Sequence, residues 1–348
     1  MFLELLHRYF HLHTDGFKIE RPEPLDEELL YLFHEKSYIE MLKKADNGQF
    51  EVRMLEAGLG TDENPVFRGM YTLALGIAGG THRGGQMLLT GEARCVFNPI
   101  SGLHHAGRDH ASGFCYINDI AITIADLLRQ GQRIAYVDVD VHHGDAVQNA
   151  FYEDDRVLTI SLHENGETLF PGTGSEREIG SGHGRGFNVN LPLRAGTDDE
   201  IYLTAFDAVI PPLLTHFKPD IVLAQIGGDT HRDDHLAHLN LTSSGYARVV
   251  AEINRLSPKI LAMGGGGYNI HKTAALWTLA WSSLVGEKPE DKFTGLVGGM
   301  MYGPETGAGT LDDRPFSLTG EQKELCQREA DRVVRFIRDT VFPIHGIS

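Results

Sequence analysis

Short apolar runs alternate with amphipathic stretches along most of the chain, which has 348 residues. Most of the apolar runs are rich in Val, Ile and Leu, as in strands buried on both faces, and the predicted strands cover residues 93–97, 134–142, 157–162, 187–191, 221–226 and 259–263. Stretches with apolar residues at helical spacing lie between them, most clearly at residues 198–217, 242–256 and 273–285. This alternation predicts an α/β fold with a central, mainly parallel sheet flanked by helices on both faces.

Helices are also predicted outside this alternating region. Residues 1–50 read as short helical pieces, with one at Asp26–Phe33 and one capped by Ser37. One longer helix is expected to end at Leu89. A second runs from Asn118 or Asp119 to about Gln130, and a third from about Thr319 to Val341. No Pro/Ser-rich linker, repeat or long charge block divides the chain, so we expect one domain over residues 1–348, with a C-terminal loop and helix at residues 286–348 packed on it.

The stretch from Ile134 to Asp145, I-A-Y-V-D-V-D-V-H-H-G-D, begins as a buried strand and ends in acidic residues and histidines. If the strand period continued, Asp138, Asp140 and His142 would lie on one side of it. Carboxylates in a Val-rich strand are costly to bury unless a cation compensates their charge. A set of Asp and His donors suits a divalent metal ion such as zinc or iron(II).

In folds of this class, ligands bind at the carboxyl ends of the strands. Chemically active side chains follow four of the predicted strands, namely His104 and His105, Asp140 and His142, Asp229, and Tyr268. With Asp229 as a third ligand beside Asp140 and His142, a metal ion would keep one position open for water, as in catalytic sites.

The remaining residues at these strand ends suggest acid–base chemistry. His104 and His105 are adjacent, and Asp138 and Asp145 are available to orient their rings, which would make a general base for water. Tyr268 follows four glycines, and its phenol is placed to stabilise an oxyanion opposite the metal. The sequence contains no Walker A, G-x-S-x-G or H-E-x-x-H motif, so nucleotide binding and serine hydrolysis have no direct support.

The composition limits the kinds of molecule that this chain is expected to bind. The formal net charge of −17 argues against nucleic-acid binding; it fits a cationic substrate such as a lysine-rich peptide or a polyamine, or simply a solvated acidic surface. Three widely spaced cysteines favour the reducing cytoplasm over a disulfide framework. The N-terminus has no signal-peptide pattern and no apolar run is long enough to span a bilayer, so no membrane partner is expected.

Several segments, in order along the chain, closely resemble the zinc-dependent histone deacetylase family: H-H-A-x(4)-A-S-G-F-C-Y-x-N-D, V-D-V-D-V-H-H-G-D, S-L-H, F-P-G-T-G, I-G-G-D and M-G-G-G-G-Y. The match covers the chain to about residue 285 and is most similar to class I-like bacterial members of the acetoin utilization deacetylase type. The resemblance implies a three-layer arginase/deacetylase-type α/β fold. It also implies that the chain hydrolyses acetyl or other short acyl groups from the lysine side chains of peptides or proteins.

The resemblance assigns roles to the residues at the strand ends. It implies that Asp140, His142 and Asp229 bind Zn²⁺, with Fe²⁺ as an alternative. His105, paired with Asp145, would be the general base and then the acid, while His104, paired with Asp138, would be an electrostatic partner. Tyr268 would polarise the acyl carbonyl together with the metal.

Further roles implied by the resemblance concern the substrate and a second cation. A narrow acyl-lysine tunnel would involve Gly113, Phe114, Phe170, Leu236 and Gly266. A monovalent cation, K⁺ or Na⁺, would be bound by the backbone oxygens of Asp138, Asp140, His142 and Leu162 and by the hydroxyl of Ser161. The family's acidic residue at the rim corresponds to Asp62 or Glu63. Family members usually open with a strand and an H-P-x-x-P-x-R segment; the chain begins after that point, so either this strand is missing, together with an arginine at the pocket floor, or the start codon was assigned late.

Three other activities are alternatives to lysine deacetylation. An acetylpolyamine amidohydrolase needs a carboxylate near the tunnel mouth, where this chain has the apolar Leu236 with Asp233 and Asp234 close by, so a peptide substrate is favoured. A catalytically silent acyl-lysine-binding module would not need the complete set of ligands and bases. A ureohydrolase is less favoured because that chemistry uses two metals; the D-x-H-x-D spacing associated with it occurs here at Asp229–Asp233.

Overall fold

The computed structural model describes residues 1–10, 12, 16–289, 311 and 313–347. Within these residues, the centre is one sheet of six parallel strands in the order β1-β6-β5-β2-β3-β4. In chain order the strands are β1 (Cys95–Asn98), β2 (Ile134–Asp138), β3 (Val157–Glu164), β4 (Asn188–Leu193), β5 (Ile221–Gln225) and β6 (Ile260–Met263). The predicted parallel α/β sheet is therefore confirmed.

Helices cover the two faces of this sheet. They are α1 (Phe2–Tyr9), α2 (Glu27–Leu30), α3 (Lys36–Asp46), α4 (Arg53–Glu56), α5 (Met70–Thr90), α6 (Asp119–Arg129), α7 (Asp145–Ala150), α8 (Asp199–Phe217), α9 (Ser243–Leu256), α10 (Ile270–Val285) and α11 (Gly320–Thr340). Short 3₁₀ turns occur at Gly182–Gly184 and Phe342–His345. Part of the predicted C-terminal loop, residues 290–310 and 312, lies outside the described residues.

The apolar runs are explained by burial on both faces of the sheet. Along β2, Ala135 and Val137 pack in the core formed with α8, α9, α10 and α11. The alternate residues Ile134 and Tyr136 pack in a second core formed with α2 to α7. Because each strand face meets its own helical layer, the strands read as nearly continuous apolar runs rather than as alternating ones.

Side-chain caps set the start of several helices. Asn118, Asp198, Thr242 and Asn269 each accept a hydrogen bond from a backbone N–H in the first turn of α6, α8, α9 and α10. The cap at Asn269 starts α10 three residues before the predicted position. Two short predictions were wrong in extent: the helix predicted over Asp26–Phe33 is only the four-residue α2, and Ser37 lies inside α3 rather than capping it.

The strand predicted through His142 ends earlier, at Asp138. The reason is local: the side chain of Asp138 accepts a hydrogen bond from the N–H of Asp140 at 3.1 Å, and that of Asp140 accepts one from the N–H of His142 at 3.0 Å. Asp side chains that bond nearby amides in this way compete with sheet pairing. Asp140 and His142 consequently lie on a loop at the carboxyl end of β2, above the sheet.

Near the edge strand β1, α1 packs against α10. The ring of Phe2 contacts the rings of Phe97 and Trp277 edge to face, with centroids 5.6 and 5.9 Å apart. A membrane-crossing helix is not found among the described residues, since none of their helices is both long and apolar enough.

Candidate metal centre and active site

Asp140, His142 and Asp229 meet at the carboxyl end of the sheet and are all buried. The Nδ1 atom of His142 lies 3.1 Å from a carboxylate oxygen of Asp140 and 3.1 Å from one of Asp229. Burial raises the pKa of Asp229 to about 7, and the nearby Asp140 charge adds to the shift. Two carboxylates and one imidazole within 4.8 Å of one another form a donor set that suits a divalent metal ion.

The surrounding backbone leaves room only for these ligand side chains. A Cβ atom at Gly227 would lie 2.1 Å from a carboxylate oxygen of Asp140, and one at Gly266 would lie 2.0 Å from an oxygen of Asp229. The N–H groups of Val141 and Gly266 donate to Asp229 and Asp140 at 3.0 and 2.8 Å, which fixes both carboxylates. The glycines are thus needed because the backbone passes close to the ligands, and the arrangement fits a single metal ion.

His104 and its carboxylate partner lie deep beside this group. The Nδ1 atom of His104 is 3.0 Å from Asp138, whose same oxygen also accepts from the hydroxyl of Tyr136 at 2.6 Å. Burial alone would lower the pKa of His104, but the charges of Asp138 and Asp140 and the bond to Asp138 outweigh it and raise the pKa to about 9. His104 is therefore protonated at neutral pH.

His105, by contrast, is uncharged at neutral pH. Its Nδ1 atom lies 2.8 Å from Asp145, the first residue of α7. Burial and the neighbouring His104 lower its pKa to about 4, although the bond to Asp145 opposes the shift. With Nδ1–H donated to the carboxylate, the Nε2 atom of a neutral His105 keeps a free lone pair and can accept a proton.

The loop that carries both histidines is held by a buried acid that the sequence reading treated only as a possible helix start. Asp119 accepts hydrogen bonds from the N–H groups of Gly102 and Leu103 at 3.1 and 2.8 Å and from the hydroxyl of Thr81 at 2.6 Å. An Asp in a first helical turn normally suggests only a favourable interaction with the helix dipole. Its role in positioning the loop depends on contacts that no local pattern reveals.

Two aromatic residues predicted to line the substrate tunnel, Phe114 and Phe170, contact rings at the candidate site. The ring of Phe170 packs edge to face on His105 with centroids 5.0 Å apart, and Phe114 lies 6.0 Å from the ring of Tyr268. A Cβ at Gly113 would come within 2.6 Å of His105 and 2.9 Å of Phe170, so only glycine leaves this space open. Leu236, predicted to stand at the rim, is 47% exposed.

The backbone of Gly266, predicted to contact substrate, is hydrogen-bonded within the protein. Its N–H donates to Asp140, and its carbonyl oxygen accepts from the N–H of Gly228 at 2.7 Å. The carbonyl oxygen keeps a second lone pair.

Tyr268 extends from the glycine-rich loop after β6 toward His142, with ring centroids 6.1 Å apart. Burial and the charges of Asp229 and Asp140 raise the pKa of its phenol well above the usual range. The phenol therefore stays protonated and serves as a hydrogen-bond donor.

Ser161, on β3, is among the residues predicted to bind a monovalent cation. Ser161 lies opposite Asp138 in the β2–β3 register, and its hydroxyl is 2.9 Å from Nδ1 of His163. Since Nε2 of His163 lies 3.0 Å from the carbonyl oxygen of Gly174 and must donate to it, Nδ1 accepts the proton of Ser161. The lone pairs of the Ser161 oxygen remain available to a cation.

Gln225, the last residue of β5, was also missed from the sequence. Its side-chain nitrogen donates to the carbonyl oxygen of Gly102 at 2.9 Å and lies 3.5 Å from Asp140, while its amide oxygen is buried without a hydrogen-bond partner among the described residues. The only sequence signal for it is that a polar residue ends an apolar strand.

A second cluster of possible metal ligands, His231, Asp233 and Asp313, is already charge-compensated. Nε2 of His231 lies 2.6 Å from Asp313, and the ammonium group of Lys272 pairs with the same carboxylate. The cluster ties the C-terminal segment to the loop that follows Asp229.

Comparisons with known proteins agree on one family. The model for the histone deacetylase domain matches residues 2–284. Histone deacetylase B of Dictyostelium discoideum is 38% identical over 284 residues, covering 80% of this chain and 65% of that protein. Histone deacetylase RPD3 of Saccharomyces cerevisiae and human histone deacetylase 1 are each 40% identical over 75% of this chain, covering 60% and 54% of their own lengths. The chain thus spans roughly half to two thirds of these curated relatives.

Solved structures with the same fold are similar over nearly the whole chain. An HDAC homolog complexed with SAHA is 31% identical with a TM-score of 0.83, over 96% of this chain and 92% of the other. An HDAC homolog from Aquifex aeolicus is 31% identical with a TM-score of 0.82, over 94% of this chain and 92% of the other.

Proposed function

This chain belongs to the histone deacetylase family, and on that premise we propose that it is a metal-dependent amidohydrolase that removes acetyl or another short acyl group from lysine side chains of peptides or proteins. One observation carries the proposal: the buried Asp140, His142 and Asp229 group lies between a neutral histidine, His105, and a protonated phenol, Tyr268. Amide hydrolysis requires a proton acceptor for water and a donor for the carbonyl oxygen.

The ligand set favours Zn²⁺, with Fe²⁺ as the alternative, and Asp140, His142 and Asp229 would hold it. A bound divalent ion would supply a Lewis acid for water and for the acyl oxygen. K⁺ or Na⁺ would bind below it, at the backbone oxygens of Asp138, Asp140, His142 and Leu162 and at the hydroxyl of Ser161.

The side chains of this site account for the proton movements. Nε2 of His105 accepts a proton from the attacking water and returns it to the leaving lysine nitrogen, so water and amide become a carboxylic acid and an amine. The Tyr268 hydroxyl donates to the acyl oxygen as it gains negative charge. The protonated His104 adds a positive charge next to the reacting atoms and remains protonated throughout.

The hydrogen bonds accepted by Asp234 favour a peptide substrate over a polyamine. Both of its carboxylate oxygens accept backbone hydrogen bonds, from Leu236 at 2.9 Å and from Tyr268 at 2.7 Å. These two bonds hold Asp234 against the loop and use part of its capacity to accept from the distant ammonium group of an acetylpolyamine. Comparing kcat/KM for an acetyl-lysine peptide with that for acetylspermidine tests this, and a preference for acetylspermidine would reverse the assignment.

The proposed activity is tested with chelator-stripped protein reloaded with Zn²⁺ or Fe²⁺ and a fluorogenic acetyl-lysine peptide. We expect turnover to return at one metal ion per chain. Tight peptide binding by the loaded protein without turnover would favour a silent binding module, and a requirement for two metal ions would favour ureohydrolase-like chemistry. A panel of longer acyl groups then defines which acyl group is preferred.

We further propose that residues 1–348 act as one deacetylase domain and work in the cytoplasm. The three cysteines, Cys95, Cys115 and Cys326, are all free thiols, which fits a reducing compartment. Limited proteolysis that yields one resistant core extending beyond residue 313 would support the single domain.

A further inference from the structure

The backbone before Tyr268 consists of glycine residues, which restrict its conformation little. Tyr268 follows Gly264–Gly267, and Gly265 and Gly267 have φ angles of 70° and 147°, in the region that favours glycine. Glycine loses more conformational freedom on folding than any other residue. The position of the phenol therefore depends on contacts that hold this loop from outside.

Such contacts occur along the loop. The N–H of Gly264 donates to the carbonyl oxygen of Asn98 at 3.1 Å, that of Gly265 to Ser101 at 2.9 Å, and that of Gly266 to the carboxylate of Asp140 at 2.8 Å. These bonds fix the part of the loop nearest the metal-ligand group. They do not reach the amide of Tyr268 itself.

The amide of Tyr268 is held by Asp234. Its N–H donates to one carboxylate oxygen of Asp234 at 2.7 Å, and the other oxygen of Asp234 accepts from the N–H of Leu236 at 2.9 Å. We call these two hydrogen bonds the Asp234 clasp. Next to it, the side-chain amide of Asn269 donates to the carbonyl oxygen of Asp233 at 3.0 Å, so the two loops are joined on both sides of the tyrosine.

We infer that Asp234 is a positioning residue for Tyr268: through the clasp it sets where the phenol stands relative to the acyl oxygen. The inference rests on the proposed function, because it assumes that Tyr268 acts on the substrate. Hydrogen bonds to a carboxylate are shorter and stronger than neutral ones, so the clasp is suited to restrain a glycine-rich loop. The same carboxylate also fixes the segment that carries Leu236 at the rim, which couples the rim to the tyrosine.

A double-mutant cycle tests the inference. Asp234→Ala should lower kcat by about tenfold or more while KM changes little, since a small displacement of a reacting group is costly. In a Tyr268→Phe background, Asp234→Ala should lower kcat by less than about twofold, because the hydroxyl it positions is already absent. Equal losses in the two backgrounds would overturn the inference, since Asp234 would then act independently of the phenol.

Asp233→Ala is the matched control. The Asp233 side chain is half exposed, and its contacts with His231, Arg232 and Lys272 are 3.8 to 4.0 Å long, while its backbone oxygen stays in place to accept from Asn269. It should leave kcat near that of the parent protein. Asp234→Asn, which has the same shape and one acceptor oxygen fewer, provides an intermediate variant if Asp234→Ala folds poorly. A full loss of kcat in Asp233→Ala would contradict the inference.

Hydrogen–deuterium exchange in the full chain provides a readout that does not depend on turnover. The peptide that contains Tyr268 should exchange faster in Asp234→Ala than in the parent and in Asp233→Ala, and unchanged exchange would refute the clasp. If the parent protein has no turnover on acetyl-lysine peptides, the proposed function fails, and the exchange experiment alone then decides whether Asp234 restrains the loop.

Discussion

At the scale of single residues, His104 and His105 are adjacent, with ring centroids 4.0 Å apart, but their pKa values are shifted in opposite directions. The sequence predicted their partners, and the structure places Asp138 and Asp145 within hydrogen-bond distance. The sequence could not predict that the two histidines differ in charge, because this difference depends on how deeply their carboxylate partners are buried. Asp138 is fully buried next to Asp140, whereas Asp145 starts a helix and is 23% exposed.

Replacing Tyr268 with phenylalanine tests the most specific role assigned to one atom. Tyr268→Phe removes the hydroxyl and keeps the ring, so kcat should fall by about a hundredfold to a thousandfold, as when one oxyanion donor is lost. Metal content and peptide affinity should hold, because Asp140, His142 and Asp229 are unchanged. Steady-state kinetics with metal analysis measures this, with Tyr152→Phe, at a tyrosine given no role in the site, as a control; kcat close to that of the parent would make Tyr268 structural.

At the scale of elements, the period of the apolar residues predicted the strands well, because both faces of each strand are buried. It failed at the end of β2, where side chains of Asp138 and Asp140 bond the backbone and the sheet pairing stops. The candidate ligands were still identified because their order along the chain brings them to the carboxyl end whether the strand stops at Asp138 or at His142. The contacts of Asp119 and Asp234 were not predicted, since each acid bonds the backbone of another loop.

Gly227 and Gly228 join β5 to Asp229 and offer a matched pair of substitutions. A Cβ at Gly227 would lie 2.1 Å from an oxygen of Asp140 and 2.8 Å from one of Asp229, whereas the nearest atom to a Cβ at Gly228 is a methyl group of Thr273 at 3.3 Å. Gly227→Ala should therefore weaken metal binding at least about tenfold, in the range seen when ligand orientation is disturbed. Gly228→Ala should change it much less.

Competition with a chelator of known affinity measures the two dissociation constants. Equal affinities for Gly227→Ala and Gly228→Ala would mean that the loop relaxes without disturbing the ligands. Activity is not needed for this comparison, so it also reports on the metal site if the substrate has been assigned wrongly.

His34, between α2 and α3, couples these elements to the start of α6 in a way that depends on pH. Its Nε2 accepts from the N–H of Asn118 at 2.9 Å, and burial lowers its pKa to about 4. The unfolded chain therefore binds more protons than the folded one between pH 4 and about 6.5, and stability falls as the pH is lowered through this window. From pH 7.5 to pH 5 this one group should cost about 2 kcal/mol of unfolding free energy.

Urea unfolding of the parent protein and of His34→Gln at both pH values isolates this contribution. Glutamine keeps an acceptor but does not titrate, so the variant should lose less stability on acidification by about that amount. His183→Gln, at an exposed position, should keep the pH dependence of the parent. Parallel pH dependence in the parent and His34→Gln would show that His34 does not carry the effect.

At the scale of the whole molecule, the sequence predicted the class of fold but not the strand order β1-β6-β5-β2-β3-β4, which long-range pairing decides. The candidate site did not require that order. In a parallel sheet with helical connections all carboxyl ends lie on one edge, so residues that follow any of the strands converge there. This is why His105, Asp140, Asp229 and Tyr268 were found together although up to 163 positions separate them along the chain.

Contacts between distant segments could not be predicted from the sequence, and Asp313 is the clearest example. Its carboxylate accepts from Nε2 of His231 at 2.6 Å and from the N–H and hydroxyl of Ser243 at 2.8 and 2.6 Å, and it pairs with Lys272. One side chain therefore joins the C-terminal segment to the loop after Asp229 and to the first turns of α9 and α10.

Asp313→Asn should destabilise the whole fold, because it leaves Lys272 with only the Asp233 carboxylate, at 3.9 Å, as a charged partner among the described residues and replaces one acceptor oxygen by a donor. Breaking such a largely buried pair on one side costs about 2–4 kcal/mol, at or just below the usual range for buried pairs. Urea unfolding with excess Zn²⁺ measures the loss, and Asp233→Asn, whose carboxylate is half exposed and makes only long contacts, should leave the midpoint nearly unchanged. An unchanged midpoint for Asp313→Asn would mean that Lys272 finds another acceptor and that the C-terminal segment is held mainly by the apolar contacts of α11.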